Sequence, residues 1–384
     1  MKYCVNCGTQ MADDAKFCMS CGTPVGQTGP ANNDNSHNNQ NQGGSIFDAI
    51  TGGINSLAGG TGAVRPPMRK IFGGMFDRHT RAEAEELFAV GTDKTTPKLS
   101  AQDVDWPRPW LYSRVLIAFV IAFVLLHVVS KEFQNLNGFP GVIMVGSFAM
   151  PFAALIFFFE LNMPKNVSFY TVLKVFLVGG CASLVFTLIL FEIASFDGQL
   201  DYGGAIVVGL LEEIGKAGIV AIFLHQEKDA KYASNGLLIG AAVGAGFAAF
   251  ESAGYAFRFL LEYLDYNVMM DVILLRGVLA PGGHVVWAAM SGYALMMAKG
   301  SGPMNISVFG NTNFLKVFWL PIALHAVWDM PIEFGSEHYL VPIALTIAAW
   351  VVVLVLVSNC MSQISSDLQA QAAEEAAPEP ASVE

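Results

Sequence analysis

An all-α, polytopic transmembrane helix bundle of about eight helices is the fold class this sequence predicts. Two observations carry it. Of 384 residues, 53% are hydrophobic and only 14% charged, whereas about a quarter of a soluble domain is charged. The average also hides a division: residues 1–108 are polar and rich in Gly, Asn and Asp, and residues 110–358 run from one apolar stretch to the next. A third observation adds a small separate unit. Four of the six cysteines fall between positions 4 and 21 as two CxxC pairs, which predicts an N-terminal zinc ribbon. The net charge of −11 is spread over linkers, loops and an acidic tail, and no basic stripe points to nucleic acid.

The ribbon comes first in the chain. Cys4-Val-Asn-Cys7 and Cys18-Met-Ser-Cys21 are each followed by a glycine, Gly8 and Gly22. A CxxC turn lets two thiolates converge on one ion, and the glycine permits the tight backbone that turns amide N–H groups toward sulfur. Four thiolates close a tetrahedral Zn2+ site, so the metal there is structural; a redox pair is the alternative reading. Clustered CxxC pairs imply a reducing compartment, and no apolar segment of signal-peptide type follows Met1. The N-terminus is therefore expected in the cytosol. The ribbon is assigned to residues 1–25, and a flexible linker and juxtamembrane segment to 26–108. Within the latter, 26–62 are Gly/Asn-rich, with too little apolar surface to offset the entropy of ordering. Short amphipathic pieces are expected over 64–100, and Trp106, Trp110 and Tyr112 sit where an interfacial aromatic belt belongs.

The membrane domain is assigned to 109–358 and an acidic tail to 359–384. A spanning helix needs about 20 mainly apolar residues. Candidates run over 111–129, 141–160, 169–190, 204–224, 235–257, 273–297, 314–330 and 339–358, the seventh short and broken by Pro321. Lys165, Lys228, Lys231 and Lys299 fall in alternate connections, while 192–202 and 331–338 carry acids and no Lys or Arg. That alternation places both termini in the cytoplasm.

Ionisable residues inside spans are costly and mark function by default. The fourth candidate carries Glu212-Glu213-Ile-Gly-Lys216, the fifth Phe250-Glu251 and Tyr255, the sixth Arg276 and His284, and the seventh His325 and Asp329. Residues three or four apart share a helix face. Glu212 or Glu213 thus lies beside Lys216, Glu251 beside Tyr255, and His325 beside Asp329. Such a set suits water activation. A desolvated carboxylate serves as general base, a histidine orients the water or stabilises an oxyanion, and Asp329 fixes its imidazole. Lys216 would hold one glutamate ionised while the other takes a proton. Metal ligation by Glu and His is the second option, weakened by the lack of an HExxH helix. The bland reading is bundle glue: neutralised pairs, an interhelical hydrogen bond, an interfacial histidine. It explains each motif alone, but not two adjacent glutamates and charged motifs on four successive helices. His127, Lys174, Cys181 and Cys360 are read as packing, snorkelling or inert residues.

EExxK, FExxxY, Arg-x7-His and HxxxD, in this order on successive helices, resemble the four motifs of the PrsW family. These are bacterial intramembrane proteases distantly related to CAAX-prenyl endopeptidases and bacteriocin-processing membrane enzymes. The likeness covers 205–330 by motif. It implies peptidase activity on a membrane-protein or peptide substrate in the lipid bilayer, such as an anti-sigma factor, through water activated by glutamate and histidines. The catalytic set would be Glu213 and Glu212 as base and partner, with His284 and His325 polarising water and carbonyl, and Lys216, Glu251, Tyr255, Arg276 and Asp329 in support. The chain departs from the CAAX branch in having Lys216 for the usual arginine and Tyr255 for a histidine, which argues against a prenyl-protein substrate. Two other classes compete. One is an ion- or proton-coupled transporter, against which stands the lack of an internal repeat. The other is a membrane scaffold whose ribbon recruits a cytosolic partner.

Overall fold

The computed structural model describes residues 2–3, 10–11, 45–227, 229–334 and 339–375. The chain forms two compact units, Met1–Gly43 and Gly44–Glu384. In the first, β1 (Lys2–Tyr3) pairs antiparallel with β2 (Gln10–Met11), Lys2 opposite Met11. Cys4, Cys7, Cys18 and Cys21 lie outside the described residues, as does the chain from 376 onward.

The second unit is helical throughout its described residues. It opens with α1 (Ile46–Leu57), α2 (Met68–Gly73) and α3 (Arg81–Ala89). The expectation of a flexible linker fails at α1. Ser45 accepts the Asp48 N–H while the Asp48 carboxylate accepts the Ser45 N–H, a reciprocal cap that completes the first turn. Thr51 and Asn55 are then buried, Thr51 Oγ1 accepting from the Val64 amide and the Asn55 amide donating to the Thr61 and Gly62 carbonyls. Composition counts apolar residues. What orders this helix is polar capping and backbone contact.

The bundle follows: α4 (Leu111–Lys131), α5 (Phe139–Leu161), α6 (Phe169–Lys174) running through a π turn at Val175–Gly179 into α7 (Gly180–Ile193), and α8 (Tyr202–Gln226). Then come α9 (Ala233–Tyr263), α10 (Tyr266–Leu279), α11 (His284–Lys299), α12 (Thr312–Asp329) and α13 (Leu340–Glu375). Six segments are long and apolar enough to cross a membrane: Leu111–Lys131, Leu136–Leu161, Phe169–Ile193, Ala233–Tyr263, Tyr266–Lys299 and Leu340–Glu375. The protein is thus a multi-pass membrane protein. All eight expected segments are helical. The two outside those six, α8 and α12, carry Glu212, Glu213, Lys216, His325 and Asp329. Two expectations change in detail. Pro321 lies inside a continuous α12 and does not break it. The sixth candidate is broken instead, by Ala280-Pro281-Gly282-Gly283, so that α11 begins at His284.

At the centre lies α9, buried along nearly all of its apolar length. Its small residues let α11 come to backbone contact. A Cβ on Gly236, Gly240 or Gly244 would collide with the Gly292, Ala288 or His284 carbonyl, and one on Gly292 with the Gly236 carbonyl. Small residues at such a seam are how membrane helices gain packing where apolar burial gives little. Glu160, near the end of α5, caps a different helix: its carboxylate accepts the amides of Trp110, Leu111 and Tyr112 at 2.7–2.9 Å. That ties the start of α4 to α5. The three aromatics expected in an interfacial belt pack inward: Trp110 stacks on His79 with ring centroids 3.9 Å apart, Tyr112 meets Phe157 edge-on, and Trp106 lies against the core.

Candidate active site

Five helices bring the motif residues together. Glu212, Glu213 and Lys216 come from the middle of α8, His284 from the first turn of α11, and His325 and Asp329 from the last turns of α12. Glu251, Ser252 and Tyr255 on α9 and Arg276 on α10 complete the cluster. Residues scattered over more than a hundred positions thus meet at one cavity of about 560 Å3. Leu188, Phe191, Val208, Leu275, Trp287 and Trp328 form its apolar walls.

Adjacent glutamates point about 100° apart on a helix, and here they have different surroundings. Glu213 is fully buried: its Oε1 lies 2.6 Å from Lys216 Nζ and 2.9 Å from His325 Nδ1. It is absent from the cavity lining, whereas Glu212 is part of it. Glu212 Oε2 lies 3.8 Å from His284 Nδ1, 3.7 Å from His325 Nε2 and 3.5 Å from Lys216 Nζ.

Each imidazole has one nitrogen toward Glu212 and the other against a second carboxylate. His284 Nε2 is 3.1 Å from Glu251 Oε2, and His325 Nδ1 is 2.9 Å from Glu213 Oε1. A carboxylate only accepts, so these outer nitrogens carry the protons. Lys216 Nζ, 2.8 Å from His284 Nδ1, donates to the inner nitrogen of that ring and fixes the same tautomer. His325 Nε2 also reaches Asp329 Oδ2 at 3.3 Å, as its i, i+4 spacing predicts. Glu251 pairs with Arg276, whose Nε donates to Ser252 Oγ at 2.9 Å and whose guanidinium lies 4.5 Å above the Tyr255 ring. Every ionisable residue singled out on the four motifs therefore belongs to one network.

Sequence reasoning missed the aromatic housing. Trp287 stacks on His325 at 4.4 Å, and Phe247 lies 4.9 Å from His284, with the Lys216 ammonium 4.6 Å from the Phe247 ring. One clue was available: Trp287 is three residues from His284 on the same helix face. Phe247 precedes Glu251 by four in the same way.

The donor set also bears on a metal. Glu212, His284 and His325 each offer a ligand atom, all within 4.8 Å of one another. Two histidines and a glutamate, each imidazole backed by a carboxylate, fit the donor chemistry of a three-ligand catalytic site with an open position once the Lys216 ammonium gives up His284 Nδ1 and Asp329 gives up His325 Nε2. Spacing alone had ranked metal second for want of an HExxH helix. The fold assembles the donors from three helices, so that spacing is not required.

Residues 168–358 match the model of a PrsW family intramembrane metalloprotease, and residues 3–25 that of a zinc-ribbon domain. The chain is similar to three curated proteins named Protease PrsW. The one from Clostridioides difficile is 30% identical over 162 residues, 41% of this chain and 65% of that protein. Those from Oceanobacillus iheyensis and Halalkalibacterium halodurans are 23% and 25% identical, spanning 53% and 52% of this chain and 89% and 86% of theirs. No solved structure matches. Sequence, fold and network agree: residues 168–358 match the PrsW family intramembrane metalloprotease domain, and residues 3–25, which precede them, match a zinc ribbon.

Proposed function

We propose that the protein is an intramembrane peptidase that hydrolyses a peptide bond of a membrane-spanning substrate, with Glu212 taking the proton of the attacking water. One observation carries this assignment: Glu212 Oε2 faces the inner nitrogens of both histidines on the wall of the cavity, while Glu213 is sealed behind Lys216 and His325. The roles of the two glutamates are therefore not equal. Glu213 orients His325 and, with Lys216, keeps the buried charges balanced. Glu251, held by Arg276, orients His284. Tyr255 and Arg276 line the cavity and supply donors to the oxyanion formed as the carbonyl becomes tetrahedral. The proton on Glu212 then passes to the departing amine, leaving a new carboxylate and a new amino terminus. A divalent metal held by Glu212, His284 and His325 would add Lewis-acid polarisation of the water. Glu212 Oε1, which has no hydrogen-bond partner among the described residues, would remain to accept the proton.

Both termini are assigned to the cytoplasm, where the ribbon, ligated by Cys4, Cys7, Cys18 and Cys21, would recruit a cytosolic partner. A membrane-embedded regulator such as an anti-sigma factor is the substrate class that the likeness supports. The test is incubation of purified protein with single-span membrane proteins in detergent, with new amino termini read by mass spectrometry. Wild type should generate them and Glu212→Gln should not. Equal cleavage by the two would remove Glu212 from the chemistry. Proton or ion flux through the wild type in proteoliposomes, with no peptide product, would favour a transporter.

A further inference from the structure

The first helix of the second unit has its amphipathicity reversed. Ile46, Ile50, Gly53 and Leu57 succeed one another at four, three and four residues, so they form one stripe along α1. That stripe faces away from the protein: Ile46, Ile50 and Leu57 are 81%, 51% and 45% exposed. The opposite face, with Thr51 and Asn55, is the one buried. A helix that packs by its polar side and presents its apolar side has a second, apolar environment to meet. The exposure continues beyond α1, at Met68 on α2 and at Phe76, which is 82% exposed.

The height of this apolar surface is fixed by the bundle. Arg114, in the first turn of α4, donates to the Met75 and Asp77 carbonyls at 2.8 and 2.9 Å, and Phe72 stacks on Phe157 of α5. Phe76 therefore emerges beside the point where a spanning helix enters the membrane. The local charge complements an anionic surface. In a chain of net charge −11, Arg65, Arg69, Lys70, Arg78 and Arg81 cluster within seventeen positions. Arg65, Lys70 and Arg81 pair with Asp48, Asp105 and Glu85. Arg69 and Arg78 are exposed and have no carboxylate partner among the described residues. Exposed apolar side chains at the entry level of a span, flanked by unpaired arginines, are the chemistry of a helix lying in a headgroup layer.

We infer that residues 46–78 form a membrane-surface foot, with Ile46, Ile50, Leu57, Met68 and Phe76 seated at the acyl boundary and Arg69 and Arg78 against anionic phospholipid headgroups. The partner is the lipid surface itself, on the side from which α4 enters. The foot is tied to the bundle, since Tyr293 on α11 donates to the Ala58 carbonyl at 2.9 Å. This inference is independent of the peptidase assignment.

The test uses the full chain in lipid nanodiscs, with an environment-sensitive fluorescent amino acid replacing Ile50 in one preparation and Phe76 in another. Nanodiscs are made of phosphatidylcholine with and without phosphatidylglycerol, and carry doxyl-labelled lipid as quencher. Both reporters should be quenched by doxyl lipid and shielded from aqueous iodide. Quenching should strengthen with phosphatidylglycerol, and high salt or the pair Arg69→Glu and Arg78→Glu should abolish that increment. A reporter shielded from iodide yet insensitive to doxyl lipid would mean that protein covers the surface and would overturn the proposal. A reporter open to iodide in both lipid mixtures would overturn it as well.

Discussion

Glu212 and Glu213 are neighbours in sequence and separate in chemistry, and substitutions should tell them apart. Glu212→Gln keeps shape and removes the base, so cleavage should be lost with little change in thermal midpoint. Glu213→Ala removes the partner of a buried ammonium, and breaking a buried pair costs about 3–5 kcal/mol. Its protein should be both inactive and visibly less stable in a melting assay, and equal stability of the two variants would refute this division of roles. Outside the spans, Lys165 offers a pH-dependent case. Its ammonium donates to the Glu160 carbonyl at 3.0 Å and caps the end of α5. Burial brings its pKa down to about 8, against the opposing pull of the Glu160 carboxylate. A lysine whose folded pKa is depressed penalises the fold below that value, and the penalty fades as pH rises toward the unfolded pKa. The melting temperature of wild type should accordingly gain on Lys165→Met between pH 7 and pH 9, and a constant difference would place the ammonium in water. The four motifs could be read from the sequence because their spacing is helical. Which glutamate faces the cavity could not, since neighbours on a helix differ only in what the remaining helices put beside them.

Helices of the bundle were legible as apolar runs of spanning length, and their ends were not. The sixth run reads as continuous because Pro281, Gly282 and Gly283 interrupt it for too few residues to disturb its hydropathy. Yet that interruption sets His284 at the beginning of α11 and turns it toward α8. Closing the break should therefore harm the site more than the fold. Gly282 approaches Thr346 of α13 so closely that a Cβ would collide with its side chain. Gly282→Ala should lower cleavage by roughly tenfold or more while the chain still inserts, since an overpacked contact costs about 1–3 kcal/mol. Wild-type rates from this variant would show that the break has slack. At α1 the error ran the other way, because Gly/Asn-rich composition concealed a capped helix. Ser45→Ala should weaken that cap by about 1 kcal/mol, read as faster amide exchange over residues 46–57; unchanged exchange would mean that packing on α13 alone holds the helix.

For the whole molecule, the two metal readings make one measurable stoichiometry. If ribbon and bundle each hold an ion, purified wild type should contain two metals per chain. Cys4→Ser with Cys7→Ser should then leave one, and adding His325→Ala should leave none. A single metal that vanishes with the ribbon cysteines would instead make the peptidase site metal-free, with Glu212 and the histidines activating water unaided. Topology has its own check: reporters after Glu384 and in the 225–231 loop should register as cytoplasmic, and one at 333–338 as external. The backbone seam between α9 and α11 bears on how this cavity would admit a polypeptide. Two rods in contact along Gly236, Gly240, Gly244 and Gly292 can neither slide nor roll without collision, so Glu251 and His284 ride on a stiff spine. A guest would have to enter elsewhere, past the walls where α7 and α10 contribute side chains rather than backbone contact: Leu188, Phe191, Leu275 and Leu279.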